Sequence, residues 1–238
     1  MQHKTLIVIP TYNERDNIGP LINDIFCILP YTDILIVDDN SPDGTQGLVE
    51  SLASANARIK LIKRPSKAGL GSAYLLGFKH GIDNGYDFIL QMDADYSHQP
   101  KYLKEFLNQI RSYDLVVGSR YITGGEITGW GFFRKMLSYC GNLYARYFLG
   151  IPLKDLTGGY NCYRRKALED ILGYPGFSDG YIFQVEMKLV AYKKGFRIKE
   201  IPIVFENRRR GKSKISKKII FQALAKVPLI PWRVKRAI

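Results

Sequence analysis

The sequence has few of the residues that build disulfide frameworks and zinc sites. Its 238 residues include only three cysteines, Cys27, Cys140 and Cys162, and these lie far apart. A disulfide-stapled secreted scaffold and a structural zinc domain both need more thiols at closer spacings. We therefore expect reduced thiols, as in a cytosolic protein.

Long apolar runs are also missing. Leu6–Ile9, before Pro10, is too short for the core of a secretory signal peptide, so we expect no such signal. The C-terminal apolar stretch is broken by Lys226, Pro228 and Pro231, which makes it too interrupted to span a bilayer. The chain is nevertheless 46% hydrophobic and long enough to bury one substantial core.

Acidic residues are absent from the last part of the chain. Residues 207–238 hold eleven Lys or Arg and no Asp or Glu, whereas residues 1–206 hold 24 basic and 22 acidic residues. Such a polycationic tail can meet nucleic acid, anionic lipid or a phosphorylated substrate. Large apolar residues interleave with the charges. We therefore predict one folded domain over residues 1–210 and a basic amphipathic membrane-surface tail over residues 211–238.

Strand-length apolar runs alternate with segments of helical periodicity. The runs are Leu6–Ile9, Ile34–Val37, Ile59–Ile62, Phe88–Leu90 and Leu115–Val117. Apolar spacing predicts helices over residues 18–29, 103–110, 134–149 and 183–192. This alternation predicts an α/β fold, a mostly parallel sheet flanked by helices. Ligands of such sheets bind at the carboxyl ends of the strands.

Polar residues follow four of the five predicted strands. The clusters are Pro10–Glu14, Asp38–Thr45, Asp93–Asp95 and Gly118–Arg120. Because the carboxyl ends of parallel strands share one edge of the sheet, we expect these clusters to meet. One cluster alone could be an ordinary turn, but four together indicate a site.

Asp93 and Asp95 flank Ala94 directly behind an apolar run. Alternate side chains of an extended chain point the same way, so the two carboxylates can converge on one ion. An EF-hand is excluded, since its sixth and twelfth loop positions would be His98 and Lys104. A helix N-cap or an Asx turn at Asp95 is the structural alternative. The pattern favours Mg²⁺ or Mn²⁺, which takes further oxygens from substrate phosphates.

Basic residues recur near the predicted site. Arg120 ends a strand, Arg134 follows a glycine-rich loop, and Arg208 and Lys214 lie in the tail. Each could be an ordinary solvated charge, but the fork of arginine suits phosphate oxygens. Beside a metal site, the set indicates phosphate binding. Asp39, at another strand end, could accept hydrogen bonds from a base or a ribose.

Six motifs, in order and spacing, resemble those of glycosyltransferase family 2: PTYNE, DDNSPDGT, DADYSH, GSR, TGGY and FQVEM. Within that family, DADYSHQP, GYIFQVEM and RRRGKSK are most similar to the dolichol-phosphate (polyprenol-monophosphate) mannosyltransferases. The likeness runs from about residue 4 to about residue 220. It implies a GT-A type, Rossmann-like fold, a GDP-mannose donor and a dolichyl or other polyprenyl phosphate as the acceptor.

The resemblance also implies roles for individual residues. Contacts with the nucleotide sugar fall on Pro10, Tyr12, Glu14, Val37, Asp39, Asp93, Ala94, Asp95, Arg120, Arg208 and Lys214. The implied metal ligands are Asp93, Asp95 and Ser97, although some relatives carry Gln where this chain has Ser97. The residues implied to bind the acceptor phosphate are Arg120, Arg134 and Ser138. Those implied to be catalytic are Asp95 and Arg120.

The chemistry that the resemblance implies needs no strong general base, because a phosphate monoester is already an anion near neutral pH. This agrees with a sequence that has no convincing Ser–His or Cys–His pair. A single in-line displacement would invert the anomeric centre and give a β-linked mannosyl phosphate.

Two alternatives remain open from the sequence. UDP-glucose or UDP-N-acetylglucosamine could replace GDP-mannose as the donor. A basic nucleic-acid-binding protein is disfavoured because no recognisable RNA- or DNA-binding motif is present. Some members of the family continue into transmembrane helices. Either the tail and small membrane-anchoring subunits hold this protein on the cytoplasmic face of a membrane, as we expect, or the sequence is part of a longer chain. We expect no nucleic acid partner.

Overall fold

The computed structural model describes residues 3–178, 180–207 and 226–237. Strands and helices alternate through the first half of the chain. They are β1 (Thr5–Thr11), α1 (Arg15–Ile28), β2 (Asp33–Asp38), α2 (Thr45–Ala55), β3 (Ile59–Lys63), α3 (Leu70–Asp83), β4 (Phe88–Gln91), a 3₁₀ turn (Pro100–Tyr102), α4 (Leu103–Gln109) and β5 (Leu115–Ser119). All five predicted strands are present, whereas α2 and α3 were not predicted.

The second half of the chain is less regular. Its elements are β6 (Glu126–Ile127), α5 (Phe132–Leu149), β7 (Asn161–Arg164), α6 (Arg165–Leu172), α7 (Tyr181–Lys193), β8 (Ile198–Pro202), β9 (Val204–Phe205), a 3₁₀ turn (Val227–Leu229) and α8 (Ile230–Ala237). The four predicted helices correspond to α1, α4, α5 and α7. The strands β6 to β9 and the helix α6 were not predicted.

Seven strands form one sheet in the order β3-β2-β1-β4-β7-β5-β8, and β6 pairs with β9 in a separate small sheet. Every pair in the large sheet is parallel except those that β7 makes with β4 and β5. Because β7 is antiparallel to both neighbours, β4 and β5 run in the same direction. The carboxyl ends of β1, β2, β4 and β5 therefore lie along one edge, as predicted.

Both faces of the sheet are covered by helices. Leu6 and Val8 of β1 belong to a core shared with α3 and α7, while Ile7 and Ile9 belong to a core shared with α1 and α4. All four side chains are fully buried. Burial on both faces explains why these strands appear in the sequence as continuous apolar runs instead of alternating patterns.

Helix α3 crosses the sheet at close range because two of its glycines face the strands. A Cβ added to Gly77 would overlap Cγ1 of Val8, and one added to Gly81 would lie 2.9 Å from Cγ1 of Ile89. By contrast, a Cβ on Gly141 of α5 would meet nothing within 4 Å. A larger side chain should therefore be tolerated at Gly141 of α5 but not at Gly77 of α3.

Gly77→Ala is expected to lower the free energy of unfolding by about 1–3 kcal/mol, because the added methyl group overpacks the contact with Val8. Gly141→Ala is the matched control and is expected to raise it by about 0.5–1 kcal/mol, since alanine is the better helix former. Urea unfolding of both variants measures the difference. Equal stabilities would contradict the close approach of α3.

The described end of the basic tail packs on the domain. Three of its apolar side chains are buried against α5 and α7: Val227, Ile230 and Val234. Arg233 of α8 donates to the carbonyl of Gly176 at 2.6 Å and pairs with the buried Glu186 at 3.3 Å. Residues 208–225 lie outside the described residues, so the boundary after residue 210 stays a prediction.

Candidate active site

The loops at the carboxyl ends of three strands contain residues with left-handed backbone conformations. Asn13 follows β1, Asn40 follows β2 and Tyr96 follows β4, with φ of 61°, 58° and 64°. Asparagine adopts this conformation readily, whereas a bulky tyrosine seldom does. The Tyr96 hydroxyl donates to Asp24 at 2.8 Å, which holds the strained residue in place. Backbone strain of this kind concentrates at functional sites.

The two carboxylates that follow β4 differ in depth. Oδ1 of the buried Asp95 accepts hydrogen bonds from the backbone N–H of Ser97 at 3.1 Å and from its hydroxyl at 2.6 Å. This is the Asx turn that the sequence offered as an alternative. The side chain of Asp93 is about one third exposed, and its Oδ1 accepts from the Tyr74 hydroxyl at 2.7 Å. Asp93 thus faces the open side of the edge.

These residues fit a hard divalent cation. Their donor atoms are all oxygens, which suits Mg²⁺ or Mn²⁺, and such ions use one or two carboxylates together with substrate phosphates. The Ser97 hydroxyl, which was predicted to bind the same metal, lies within hydrogen-bond distance of the Asp95 carboxylate. Within residues 3–178, 180–207 and 226–237 no group of three or more His, Cys, Asp or Glu could hold a metal. The fit therefore rests on the two carboxylates.

His98 has a structural role at this site. It is buried, its Nδ1 accepts from the backbone N–H of Asp93 at 2.9 Å, and its ring stacks on Tyr160 at 4.8 Å. Burial lowers the pKa of His98, so the neutral ring is the form that accepts this hydrogen bond. The histidine fixes the main chain that carries Asp93.

Arg120, at the end of β5, is bound to a carboxylate that the sequence analysis missed. Its Nε and Nη2 donate to the two oxygens of Asp155, each at 2.7 Å, and Nη2 also donates to Thr157 at 2.8 Å. Burial acts to raise the pKa of Asp155, but the Arg120 charge and its hydrogen bonds hold that pKa below its usual range. The available clue was the position of Asp155, two residues before the TGGY motif.

Helix α5 is tied to the surroundings of Arg120. Nδ2 of Asn142 donates to Thr157 at 3.0 Å, and the Tyr121 hydroxyl donates to Ser138 at 2.7 Å. One turn earlier, the guanidinium of Arg134 stacks 3.8 Å from the ring centroid of Trp130. Arg134 and Ser138 therefore lie in the first two turns of α5, and Tyr121, the residue after Arg120, binds Ser138.

Phe205 of β9 joins the two halves of the site. Its ring centroid lies 5.7 Å from that of His98 and 5.5 Å from that of Trp130, and 5.3 Å from the guanidinium carbon of Arg120. Phe205 therefore lies between His98, which binds the main chain of Asp93, and two residues of the other half: Arg120, and Trp130 on which Arg134 stacks. No pattern in the sequence indicated this role for Phe205.

The predicted nucleotide contacts on β1 and β2 are adjacent in the sheet. Pro10 pairs in register with Val37. The side chains of Val37 and Ala94 are buried in the core, so a ligand would meet their main chain. Tyr12 lies under the Lys67 ammonium, 3.8 Å from the ring centroid.

Glu14 and Asp39 are engaged with neighbouring residues. Glu14 accepts from Nδ2 of Asn17 at 2.8 Å, at the start of α1. Oδ1 of Asp39 pairs with Arg64 at 2.6 Å, while its Oδ2 accepts from the backbone N–H of Gly69 at 3.2 Å. Asp39 thus holds the turn before α3, and its contact with a base or ribose stays a prediction. Arg208 and Lys214 lie outside the described residues.

Lys188 of α7 is a fully buried cation that the sequence analysis also missed. Its ammonium donates to the carbonyl oxygens of Gly158 at 2.6 Å and Leu156 at 3.2 Å. It thereby holds the turn that presents Thr157 to Arg120. Burial lowers the pKa of Lys188 to about 8, although the nearby Asp155 carboxylate acts in the opposite direction.

Relative to Lys188→Met, the wild-type free energy of unfolding is expected to rise by roughly 1 kcal/mol between about pH 7 and pH 9. In this window the folded protein releases the Lys188 proton, whereas the unfolded chain keeps it. Stability increases with pH wherever the unfolded state binds more protons. Urea unfolding across the pH range checks this, with the exposed Lys193→Met on the same helix as control. Parallel pH profiles for wild type and Lys188→Met would refute it.

The chain matches the family model of glycosyl transferase family 2 over residues 6–172. It belongs to this family. It is 43% identical over 226 residues to the polyprenol monophosphomannose synthase of Mycolicibacterium smegmatis, with 94% of this chain and 85% of the relative covered. It is 42% identical over 224 residues to the undecaprenyl-phosphate mannosyltransferase of Micrococcus luteus, covering 94% and 92%.

Solved structures share the fold at lower identity. Glucosyl-3-phosphoglycerate synthase from Mycobacterium tuberculosis superposes with a TM-score of 0.65 at 16% identity, covering 99% of this chain and 80% of that one. A mannosyltransferase from Pyrobaculum calidifontis, solved with GDP-Man and Mn²⁺, gives 0.59 at 17% identity, covering 100% and 73%. This family 2 protein is therefore a glycosyltransferase with a GT-A fold, as the motifs predicted.

Proposed function

We propose that this glycosyltransferase moves mannose from GDP-mannose to dolichyl or another polyprenyl phosphate. The observation that carries the proposal is the arrangement around Phe205, whose ring contacts Arg120 on one side and, on another, His98, which binds the main chain of Asp93. Such a site suits a donor diphosphate on one side and an acceptor phosphate on the other. The two relatives named for mannosyl transfer to polyprenyl phosphates support this assignment.

In the proposed mechanism, Asp93 and Asp95 would hold Mg²⁺ or Mn²⁺ at the end of β4. That ion, when bound, supplies positive charge against the diphosphate on which charge develops. Arg120, Arg134 and Ser138 would orient the acceptor phosphate. An anionic phosphate oxygen attacks the anomeric carbon as the bond from that carbon to GDP breaks. No proton has to be removed, because the attacking phosphate is already an anion, and the single displacement inverts the anomeric centre.

A donor panel tests the proposal directly. The protein is incubated with a short polyprenyl phosphate and with GDP-mannose, UDP-glucose or UDP-N-acetylglucosamine in turn. We expect product from GDP-mannose alone, with a β-configured anomeric centre by NMR. Product from a UDP-sugar, or an α-linked product, would overturn the assignment of donor or of mechanism.

Arg134→Ala is expected to raise the KM for the lipid phosphate by about tenfold or more, because it removes one charge-assisted hydrogen-bond donor. Affinity for GDP-mannose should change little. Lys135→Ala, the exposed neighbour, is the matched control for general electrostatic attraction to the lipid surface. Steady-state kinetics and calorimetry separate the two effects. An equal loss of donor affinity in Arg134→Ala would count against the assignment.

The same proposal places the protein on the cytoplasmic face of a membrane. Its acceptor is a lipid, and residues 207–238 supply eleven positive charges that anionic headgroups attract. Small membrane-anchoring subunits would add to this attachment. Over the part of the chain that the structure describes, no helix combines the length and apolar character that crossing a bilayer requires.

A further inference from the structure

Three buried amide side chains lie behind the carboxylate of Asp93. They are Gln91 of β4, Asn161 of β7 and Gln184 of α7, with exposed fractions of 0%, 0% and 2%. Nδ2 of Asn161 donates to Oε1 of Gln91 and to Oε1 of Gln184, each at 3.2 Å. The amides therefore form one cluster that joins the sheet to α7. The proposed mechanism uses none of them.

The amide of Gln184 has a defined orientation within this cluster. A backbone carbonyl can only accept, so the Asn161 atom that lies 3.4 Å from the oxygen of Gly158 is the donor Nδ2. The Gln184 atom that faces Nδ2 is then the acceptor Oε1, and Nε2 points away. Among the residues that the structure describes, Nε2 of Gln184 has no hydrogen-bond partner. An unpaired buried donor costs free energy, which a ligand oxygen can recover.

Gly159 lies between this donor and the carboxylate of Asp93. A Cβ built on Gly159 would be 3.6 Å from Nε2 of Gln184, 3.9 Å from Oδ2 of Asp93 and 3.4 Å from Cε1 of His98. A donor and an acceptor thus approach one point, which the missing side chain of Gly159 leaves unfilled. A hydroxyl group that passes over Gly159 can accept from Gln184 and donate to Asp93. A carboxylate has about four acceptor positions, so Asp93 can also bind a cation.

The place of Gly159 in the site indicates which part of a ligand meets it. Asp93 belongs to the carboxylate pair proposed for the donor diphosphate. Thr157, two residues before Gly159, accepts from Arg120 at 2.8 Å, on the side proposed for the acceptor phosphate. In the proposed reaction the hexose lies between the diphosphate that leaves its anomeric carbon and the phosphate that attacks it. The hexose is therefore the group that lies over Gly159.

We infer that Gln184 determines specificity for the donor hexose, by donating from Nε2 to one of its hydroxyl groups across Gly159. This inference rests on the proposed function for the presence of a hexose between the two phosphate groups. A site built to bind a hydroxyl rejects an analogue that lacks it, because the buried polar atoms of the site are then left unpaired. The nucleotide is held by other residues, so its affinity does not depend on Gln184.

Two variants test the inference by calorimetry in the presence of Mg²⁺. Gln184→Met keeps the length of the side chain but removes the donor. Gly159→Ala fills the point with a methyl group at ordinary van der Waals distances, so the fold should tolerate it. Both variants are expected to bind GDP as wild type does and GDP-mannose about tenfold more weakly. Gly141→Ala, whose Cβ meets nothing within 4 Å, is the control and should leave both affinities unchanged.

GDP-mannose analogues that each lack one hexose hydroxyl identify the contact. With one analogue, wild type should lose about a hundredfold in kcat/KM, whereas Gln184→Met should lose about tenfold less than that. The other analogues should affect both proteins equally. Thermal unfolding verifies that the variants fold. If Gln184→Met lowers kcat/KM by one common factor for every analogue, or weakens GDP as much as GDP-mannose, the amide is structural and the inference is overturned.

A failure of the proposed function has a different signature. Wild type that forms product only from a UDP-sugar contradicts the proposed donor. Gln184→Met and Gly159→Ala are then compared on UDP and on that UDP-sugar, where the same selective loss supports the role of Gln184. If wild type uses GDP-mannose and both variants bind it as tightly as wild type, the proposed function stands and the inference falls.

Discussion

Asp95→Asn is expected to reduce glycosyl transfer by about a thousandfold while leaving the fold intact. The amide keeps the oxygen that accepts from the N–H and hydroxyl of Ser97, so the Asx turn survives. It loses the negative charge that a divalent cation requires. Losing metal-assisted stabilisation of the departing diphosphate costs ~4 kcal/mol, which corresponds to about three orders of magnitude in rate.

The measurement compares initial rates and thermal unfolding for Asp95→Asn and for Asp170→Asn, an exposed residue of α6 that carries the same change. The control should match wild type in both. Wild-type activity should vanish in EDTA and return with Mg²⁺ or Mn²⁺. Full activity in the chelator would show that the carboxylate pair serves another purpose.

Asp155→Ala is expected to lower the free energy of unfolding by about 3–5 kcal/mol, because it leaves the Arg120 guanidinium buried without its carboxylate. Both partners of this pair are almost completely inaccessible, at 6% and 0% side-chain exposure. A typical domain is stable by only about 5–15 kcal/mol, so the variant should be close to unfolding at room temperature. Urea denaturation measures the loss.

The double variant Arg120→Met/Asp155→Leu distinguishes a structural from a functional role for Arg120. Replacing a whole buried pair by apolar residues is often neutral for stability, so most of the lost free energy should return. If Arg120 contacts the acceptor, the double variant should fold and yet show no transfer to the lipid phosphate. An active double variant would make Arg120 purely structural.

The pH dependence of the pair has a definite sign. Burial acts to raise the pKa of Asp155 in the folded state, but the Arg120 charge and hydrogen bonds together outweigh it and leave that pKa below its usual range. The contribution to stability is therefore complete above the unfolded pKa of about 3.9 and is lost as the pH falls through the lower folded value. The single variant Asp155→Ala should lack this component of acid unfolding.

Local sequence patterns were sufficient for the framework of the site. Continuous apolar runs marked β1, β2, β4 and β5 because these strands are buried on both faces, and the polar clusters behind them marked the candidate site. Asp93 and Asp95 were singled out by their i, i+2 spacing behind a strand, and their role as metal ligands stays a prediction. The predicted helix over 134–149 followed from periodicity in the same way. These signals extend over a few residues and need no knowledge of the rest of the molecule.

Contacts between distant parts of the chain were decided only by the tertiary structure. Asp155 lies 35 residues from Arg120, and Tyr74 lies 19 residues before Asp93, so neither partner is visible in a local pattern. The burial of Lys188 depends on two carbonyl oxygens that α7 meets only after folding. Periodicity predicted that α5 is a helix, but its neighbours in the fold determined which side is buried and which is exposed. Side-chain pairing and exposure depend on what packs against each element, and the sequence of that element does not contain this information.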